Sequence, residues 1–332
     1  MQGIKIGNFS LEVPVIQGGM AVKVSRASLS AAVANAGGLG VIGASGLSAE
    51  EVVQEIREAR KLSRGALGIN IMVAVSNFTK VVEAAVQEKI DVILAGAGFS
   101  KDVFRIALDA GIDVVPVVSS AKVAVLAEKL GAAAVVVEGT EAGGHLGTDR
   151  PVRDILPEVI DAVSIPVFAA GGLIDGKDMA DVMRRGAVGV QMGSRFVLSE
   201  ECNVSPVFKE VYLNATEKDI VLINSPVGLP GRAIRTPFSE KIMVDDTSIR
   251  PKSCSTCLKK CAMNFCILTA LKKAAEGDLE NGLFFSGSYS YKIKDILPVR
   301  DIIDRIVGDA DQYLAAWRAK SHAEKLRSAD AA

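Results

Sequence analysis

Between residue 13 and about residue 197 the chain alternates short, β-branched, glycine-terminated apolar runs with stretches of helical length. Such repetition builds a parallel sheet, because two parallel strands need a crossover long enough to hold a helix. Eight runs fit the pattern: Val13 to Gln17, Gly40 to Gly43, Gly68 to Val73, Val92 to Ala95, Asp113 to Val118, Ala134 to Glu138, Pro166 to Ala170 and Gly189 to Met192. The stretches between them have helical spacing. Ala49 to Lys61 sets Val52, Val53, Ile56 and Ala59 on one face, and Ala121 to Leu130 does so with Val125, Leu126 and Leu130. Eight strand–helix units close best as an α/β fold of the (β/α)8 TIM-barrel type. An open doubly wound sheet is the competing arrangement. It would carry one glycine-rich phosphate turn near its start and an acidic residue about 20 positions later, whereas here the chemically suggestive loops follow at least five different strands.

The 332 residues exceed what a barrel needs. After residue 200 the pattern breaks into a segment with Pro206, Pro226, Pro230, Pro237 and Pro251, followed by a cysteine cluster and further helices. The expected organisation is a barrel over 1–200 that is completed by returning helices over roughly 268–318, a cap or lid over 201–267 that carries the cysteines, and a charged, frayed tail over 319–332. Leu297, Ile302, Ile303 and Ile306 form the helical face that would return to the barrel.

Charge and hydropathy exclude several classes. The formal net charge is -1, and Lys and Arg are spread without a dense basic block, so neither nucleic acid nor an anionic membrane is an expected partner. The N-terminal residues Met1 to Ile6 lack a signal-peptide layout, and the longest uncharged stretch, Ala27 to Ala49, is interrupted by Asn35, four serines and several glycines. Four of the five cysteines crowd into Cys254 to Cys266, which reads as a ligand cluster in a reducing compartment rather than a disulfide framework. A cytoplasmic enzyme is the expectation, with a homodimer left open.

In a barrel, chemistry sits just beyond the C-terminal ends of the strands, and phosphate binds the loops after the seventh and eighth. Ala170-Gly171-Gly172 ends the seventh run and Gly193-Ser194 follows the eighth. One Gly-Gly pair would merely end a strand, but two in register on adjacent strands let bare backbone N–H groups approach phosphate oxygens. His145 closes the run Glu138 to His145, which includes Gly143-Gly144, directly after the sixth strand, where a proton-transfer group belongs. Gln17-Gly18-Gly19-Met20 ends the first strand and Asn70 the third; amides there can address the edge of a flavin while Met20 packs on its face. Together these outline a planar ligand with a phosphate tail.

Cys254, Cys257, Cys261 and Cys266 are spaced so that four thiolates can meet at one centre. A structural zinc or a [4Fe–4S] cluster would accept them, and the spacing matches neither a ferredoxin run nor a paired zinc knuckle; free thiols are the remaining alternative.

The runs Glu138 to Gly147 (EGTEAGGHLG), Ile165 to Gly176 (IPVFAAGGLIDG) and Val190 to Phe196 (VQMGSRF), with the N-terminal PVIQGGM, resemble the nitronate monooxygenase (2-nitropropane dioxygenase) superfamily, and within it the FMN-dependent enoyl-acyl carrier protein reductase II. The likeness covers residues 1 to about 240 and returns at Gly277 to Ile303. It implies non-covalent FMN, with Gly18, Met20, Asn70, Gly171, Gly172, Gly193 and Ser194 around it, Glu138, Gly143, Gly144, Ala170 and Gln191 within the matched motifs, and His145 as the catalytic histidine. The reductase branch implies that NAD(P)H reduces the flavin and that hydride passes from N5 to the β-carbon of an enoyl thioester, small or carried on acyl carrier protein. The nitronate branch implies oxidation of alkyl nitronates with O2. The cysteine segment departs from both and is similar to the cluster-binding segment of dienoyl-CoA reductases, which favours [4Fe–4S] over zinc and reduction over oxygenation. A flavin and iron–sulfur electron carrier or redox sensor is the reading from another class.

Overall fold

The computed structural model describes residues 1–96 and 98–330. A hairpin of β1 (Ile4–Ile6) and β2 (Phe9–Leu11) precedes the barrel strands β3 (Val15–Gln17), β4 (Gly40–Gly43), β5 (Leu67–Met72), β6 (Val92–Gly96), β7 (Asp113–Val118) and β8 (Val135–Glu138). A two-residue strand β9 (Gly144–His145) follows, then barrel strands β10 (Val167–Ala170) and β11 (Gly189–Met192), and finally the hairpin β12 (Ile220–Asn224) and β13 (Pro230–Ile234). The eight-stranded sheet runs β3-β11-β10-β8-β7-β6-β5-β4. Its pairings are parallel, and Leu39, just ahead of β4, bridges Ile16 of β3 and closes the ring. The expected (β/α)8 barrel is therefore what the chain forms, and each of the eight anticipated strands is present within two residues at either end.

Period-two alternation explains the core. On β10, Phe168 and Ala170 point into the barrel with Ile16, Val41, Leu94, Val115 and Val136, while Val167 and Ala169 face the surrounding helices. Ile6, Phe9 and Leu11 of the N-terminal hairpin join the interior set and plug the end opposite the strand C-termini. Phe168 is fully buried there, so truncation to Ala would cost about 3–5 kcal/mol.

The helices α1 (Ala27–Asn35), α2 (Ala49–Leu62), α3 (Phe78–Gln87), α4 (Lys101–Asp109), α5 (Ala121–Lys129), α6 (Val152–Ala162) and α7 (Gly176–Arg184) form the outer layer, and a single turn α8 (Ser194–Val197) follows β11. Local chemistry sets their starts: Ser48 and Glu51 form a reciprocal capping box at α2, and the Asp175 carboxylate accepts from Asp178 N at α7.

Beyond the barrel lie α9 (Pro206–Asn214), α10 (Pro237–Met243), α11 (Ile267–Glu276) and α12 (Val299–Asp330). Strands β12 and β13, with α10 and the start of α11, enclose a small core of Val221, Ile223, Phe238, Ile242, Phe265 and Ile267 that is separate from the barrel's. Ile302, Ile303 and Ile306 of α12 join the main core. Helix α12 runs to Asp330, and residues 331–332 of the charged tail lie outside the described residues. Among the described residues, no helix is long and apolar enough to cross a membrane.

Candidate active site

A cavity of about 250 Å³ opens at the C-terminal mouth of the barrel. Its wall collects Gly18, Gly19, Met20, Asn70, Glu138, Gly143, Gly144, His145, Ala170, Gly171, Gln191, Gly193 and Ser194, so thirteen of the fifteen residues singled out on the strand ends converge on one space. They converge because parallel register places every strand's C-terminus at the same level: Ala170 pairs with Glu138 on one side and Gln191 on the other, and Gln191 with Ile16.

Two residues of the set stand elsewhere. Gln17 is fully buried behind the wall; its amide nitrogen donates to Gly18 O and to Ser25 Oγ (2.8 Å), and its oxygen accepts from Val41 N (3.0 Å). The flavin-edge amide expected at Gln17 is thus a brace for the turn, because a buried amide next to unpaired backbone groups satisfies them first. Gly172 lies one residue past the cavity, packed on Glu141 and the Tyr289 ring.

The two remaining amides behave differently. Asn70 Nδ2 donates to Gly19 O at 2.9 Å, and its Oδ1 is buried without a partner, as is Oε1 of Gln191. Buried acceptors without donors cost about 1–3 kcal/mol each, and the two side chains that carry them both line this cavity. Gly19 must be glycine for this, since a Cβ would fall 2.2 Å from Asn70 Cβ. At the other end Gly171 has φ +97° and turns the chain sharply off β10. Beside it Gly193 and Ser194 open α8, with Ser194 Oγ accepting from Gly287 N at 3.0 Å, which leaves the hydroxyl proton to donate. A planar heterocycle with a phosphate tail fits this donor and acceptor set.

Burial sets the protonation states. The Glu138 carboxyl is pushed up to about 7 by desolvation, and His145 is pushed down to about 4 by the same cause, so the imidazole is neutral at physiological pH. His145 Nε2 is 2.7 Å from Ser225 Oγ, and its ring meets Phe285 edge-on with centroids 5.1 Å apart.

The cap holds this histidine in place. β13 pairs antiparallel with β9, setting Gly231 opposite His145 and Arg232 opposite Gly144. The Arg232 guanidinium donates to Thr140 O (2.7 Å) and Ala142 O (3.2 Å), and Glu141 Oε2 accepts from Val152 N at the start of α6 (3.0 Å). Sequence reasoning missed Ser225, Phe285, Gly287 and Tyr212, whose hydroxyl donates to Phe285 O. All four come from beyond residue 200; the β13–β9 pairing, with β12 beside β13 and Phe285 bridged to Ala233, brings Ser225 and Phe285 to His145.

The cysteine segment docks on the same rim. Leu258 bridges Val75, Ser76 N donates to Cys257 O (3.0 Å), and Lys259 N donates to Ala74 O (2.9 Å). Cys254 and Cys261 are exposed while Cys257 and Cys266 are half-buried. Burial pushes the Cys257 thiol up, with Cys266, Cys261 and Cys254 adding to the same direction from nearby. Among the described residues, however, no three or more His, Cys, Asp or Glu side chains are gathered as metal ligands would be. The four sulfurs as placed do not fit an iron–sulfur or zinc centre. Cys202 is buried in the main core, as an ordinary small side chain would be.

The family model described as nitronate monooxygenase matches residues 3–85 and 64–309. A Rhodococcus jostii (strain RHA1) protein named (3aS,4S,5R,7aS)-5-hydroxy-7a-methyl-1-oxo-octahydro-1H-indene-4-carboxyl-CoA dehydrogenase is 30% identical, over 91% of this chain and 94% of its own. FabK from Thermotoga maritima superposes with a TM-score of 0.84 at 34% identity, covering 93% of this chain and 96% of that one. A nitroalkane oxidase from Streptomyces ansochromogenes, at 22% identity and a TM-score of 0.79 over 92% of this chain and 98% of its own, shares the fold. With a barrel whose strand ends converge on one cavity and a family match that spans nearly its whole length, the chain belongs to the nitronate monooxygenase family of oxidoreductases.

Proposed function

We propose that this protein is an FMN-dependent reductase of an activated C=C bond, with an enoyl thioester as substrate and NAD(P)H as reductant. The observation that carries the reading is the convergence of Asn70, Gln191, Gly171, Gly193, Ser194 and His145 on one cavity at the barrel mouth. The 34% identity to FabK and the CoA-thioester name of the Rhodococcus relative favour a thioester over a small nitronate.

When bound, FMN supplies a two-electron carrier that takes hydride from NAD(P)H and gives it to the β-carbon of the double bond. The protein's own part is orientation and proton placement. Asn70 and Gln191 would hold the edge of the ring, and Gly171, Gly193 and Ser194 would hold the phosphate. His145, neutral and fixed by Ser225 and Phe285, presents a hydrogen bond at the junction where substrate enters. A neutral imidazole is a weak acid, so His145 orients the thioester carbonyl by its hydrogen bond rather than storing a proton. Glu138, protonated up to about pH 7, is the group on this wall that holds a transferable proton near neutrality.

No step runs through the cysteines. A [4Fe–4S] cluster or zinc there would require the segment to close around the metal, and iron, sulfide and zinc analysis of anaerobically purified protein decides the point.

The test is anaerobic: protein with reduced flavin is mixed with crotonyl-CoA and the flavin band is followed. Rapid return of the oxidised spectrum is expected. No reoxidation by any enoyl thioester, together with oxygen uptake on propionate-3-nitronate, would overturn the reading in favour of a nitronate monooxygenase; no turnover of either would favour an electron carrier.

A further inference from the structure

A second cavity, of about 410 Å³, adjoins the flavin cavity. The two share a boundary, since Ala21, Val22, Ser45, Met72, His145 and Leu271 line both. One side is barrel loop, with Leu47 and Val75; the other is the cysteine segment and α11, with Cys257, Leu258 and Leu268. Ser45, Asn77, Ser48 and Glu51 on the barrel side are already engaged. Ser45 Oγ accepts from Met72 N at 2.9 Å, Asn77 Nδ2 donates to Leu47 O at 2.8 Å, and Ser48 and Glu51 are tied to each other in the α2 capping box. What the wall offers an occupant is apolar surface, at a volume within the range of ligand pockets.

We infer that this second cavity is an acyl chamber: the cysteine segment forms its outer wall and it receives the hydrocarbon tail of the thioester, with the double bond held at the junction beside His145. The inference rests on the thioester reading above and adds to it a substrate class, thioesters of medium or longer acyl chain. It also gives the cysteine segment a function that requires no metal. Its hydrogen bonds to the loop after β5 (Ser76 N to Cys257 O, Lys259 N to Ala74 O, Lys259 Nζ to Val73 O) hold the wall in place over the tail. Leu268 and Leu271, one helical step apart on α11, are the residues that set chamber depth.

Binding of saturated acyl-CoA thioesters, which need no turnover, tests the chamber through the perturbation they cause in the flavin spectrum of the FMN-loaded protein. Each methylene transferred into apolar surroundings tightens binding by up to about fourfold, so decanoyl-CoA is expected to bind at least ~100-fold more tightly than butyryl-CoA. Leu268→Trp is expected to cancel most of that gain and leave butyryl-CoA and FMN content unchanged. Site-resolved alkylation gives a readout that needs no variant: decanoyl-CoA is expected to protect Cys257 from iodoacetamide, and butyryl-CoA to leave it reactive. Equal affinity for the two thioesters, equal loss of both in Leu268→Trp, or Cys257 alkylation that ignores chain length would overturn the chamber. If decanoyl-CoA binds and protects while no enoyl thioester is reduced, the chamber stands and the proposed reaction falls. If crotonyl-CoA is reduced with no dependence on chain length, the reverse holds.

Discussion

Two parts of this protein face the same cavity system and are built by opposite means. The barrel rim takes its residues from strand ends whose level is fixed by parallel pairing; Glu138, Ala170 and Gln191 stand in one row because their backbones are hydrogen-bonded in one row. The segment from Cys254 to Cys266 has no helix and no strand, with Thr256 and Met263 at positive φ, and is fastened to the rim by a few backbone hydrogen bonds. The rim can therefore present chemistry to a ligand at fixed distances, whereas the segment is suited to shaping a boundary. Cofactor binding should depend on the first and substrate length on the second.

The strongest challenge to that division is Gly193→Val. The nearest protein atom to a Cβ there is Met20 Sδ at 3.6 Å, so the fold has room for the side chain and the ligand's phosphate does not. FMN affinity should fall roughly 100-fold in a fluorescence titration of apoprotein, with Tm little changed. Replacing all four cysteines, Cys254, Cys257, Cys261 and Cys266, by Ser should leave FMN affinity within about twofold. Equal losses in the two variants would erase the distinction.

Next in size is His145→Ala, expected to lower turnover by about 100-fold or more with flavin content retained. Ser225→Ala, which removes one hydrogen bond to that ring, should lower it about tenfold. Steady-state kinetics on both, with flavin absorbance as the control, separates a role in the reaction from damage to the rim.

Glu138→Gln gives a smaller, pH-dependent effect. Folded Glu138 keeps its proton up to about pH 7, while an unfolded glutamate loses it near the ordinary value of 4.5. The folded state thus holds more protons between those limits, and wild-type stability falls as pH rises through them. Apo Glu138→Gln should gain on wild type by on the order of 2 kcal/mol between pH 4.5 and 7, read from urea midpoints. His145 contributes with the opposite sign over its own range and is common to both proteins, so it drops out of the difference. The smallest effect belongs to the exposed Cys261: Ser there should change stability by less than about 0.5 kcal/mol.

The same contrast explains what the sequence revealed. Strand ends were legible because β-branched runs closed by glycine leave a local signal, and the runs Gly40–Gly43, Asp113–Val118 and Gly189–Met192 appear with the same limits in the structure. His145 and the glycines after β10 and β11 could be placed from that pattern alone. Gln17 was misleading for a physical reason: its residue type and position suit a ligand contact, but the Ser25 hydroxyl and Val41 N–H that engage it are set by tertiary packing. Ser225 and Phe285 left no local signal, because their relation to His145 is created by pairings around β13, with β9 and with Phe285 itself, between residues far apart in the chain. The cysteine spacing specifies neither where the segment docks nor which way each sulfur turns.

Release and identification of the bound flavin tests the central claim most directly. Protein purified anaerobically, wild type and the four-cysteine-to-serine variant, is denatured and the supernatant analysed by chromatography and mass. The account predicts one FMN per chain from both. Absence of flavin from the wild type, a flavin without a terminal phosphate, or flavin lost with the cysteines would contradict it.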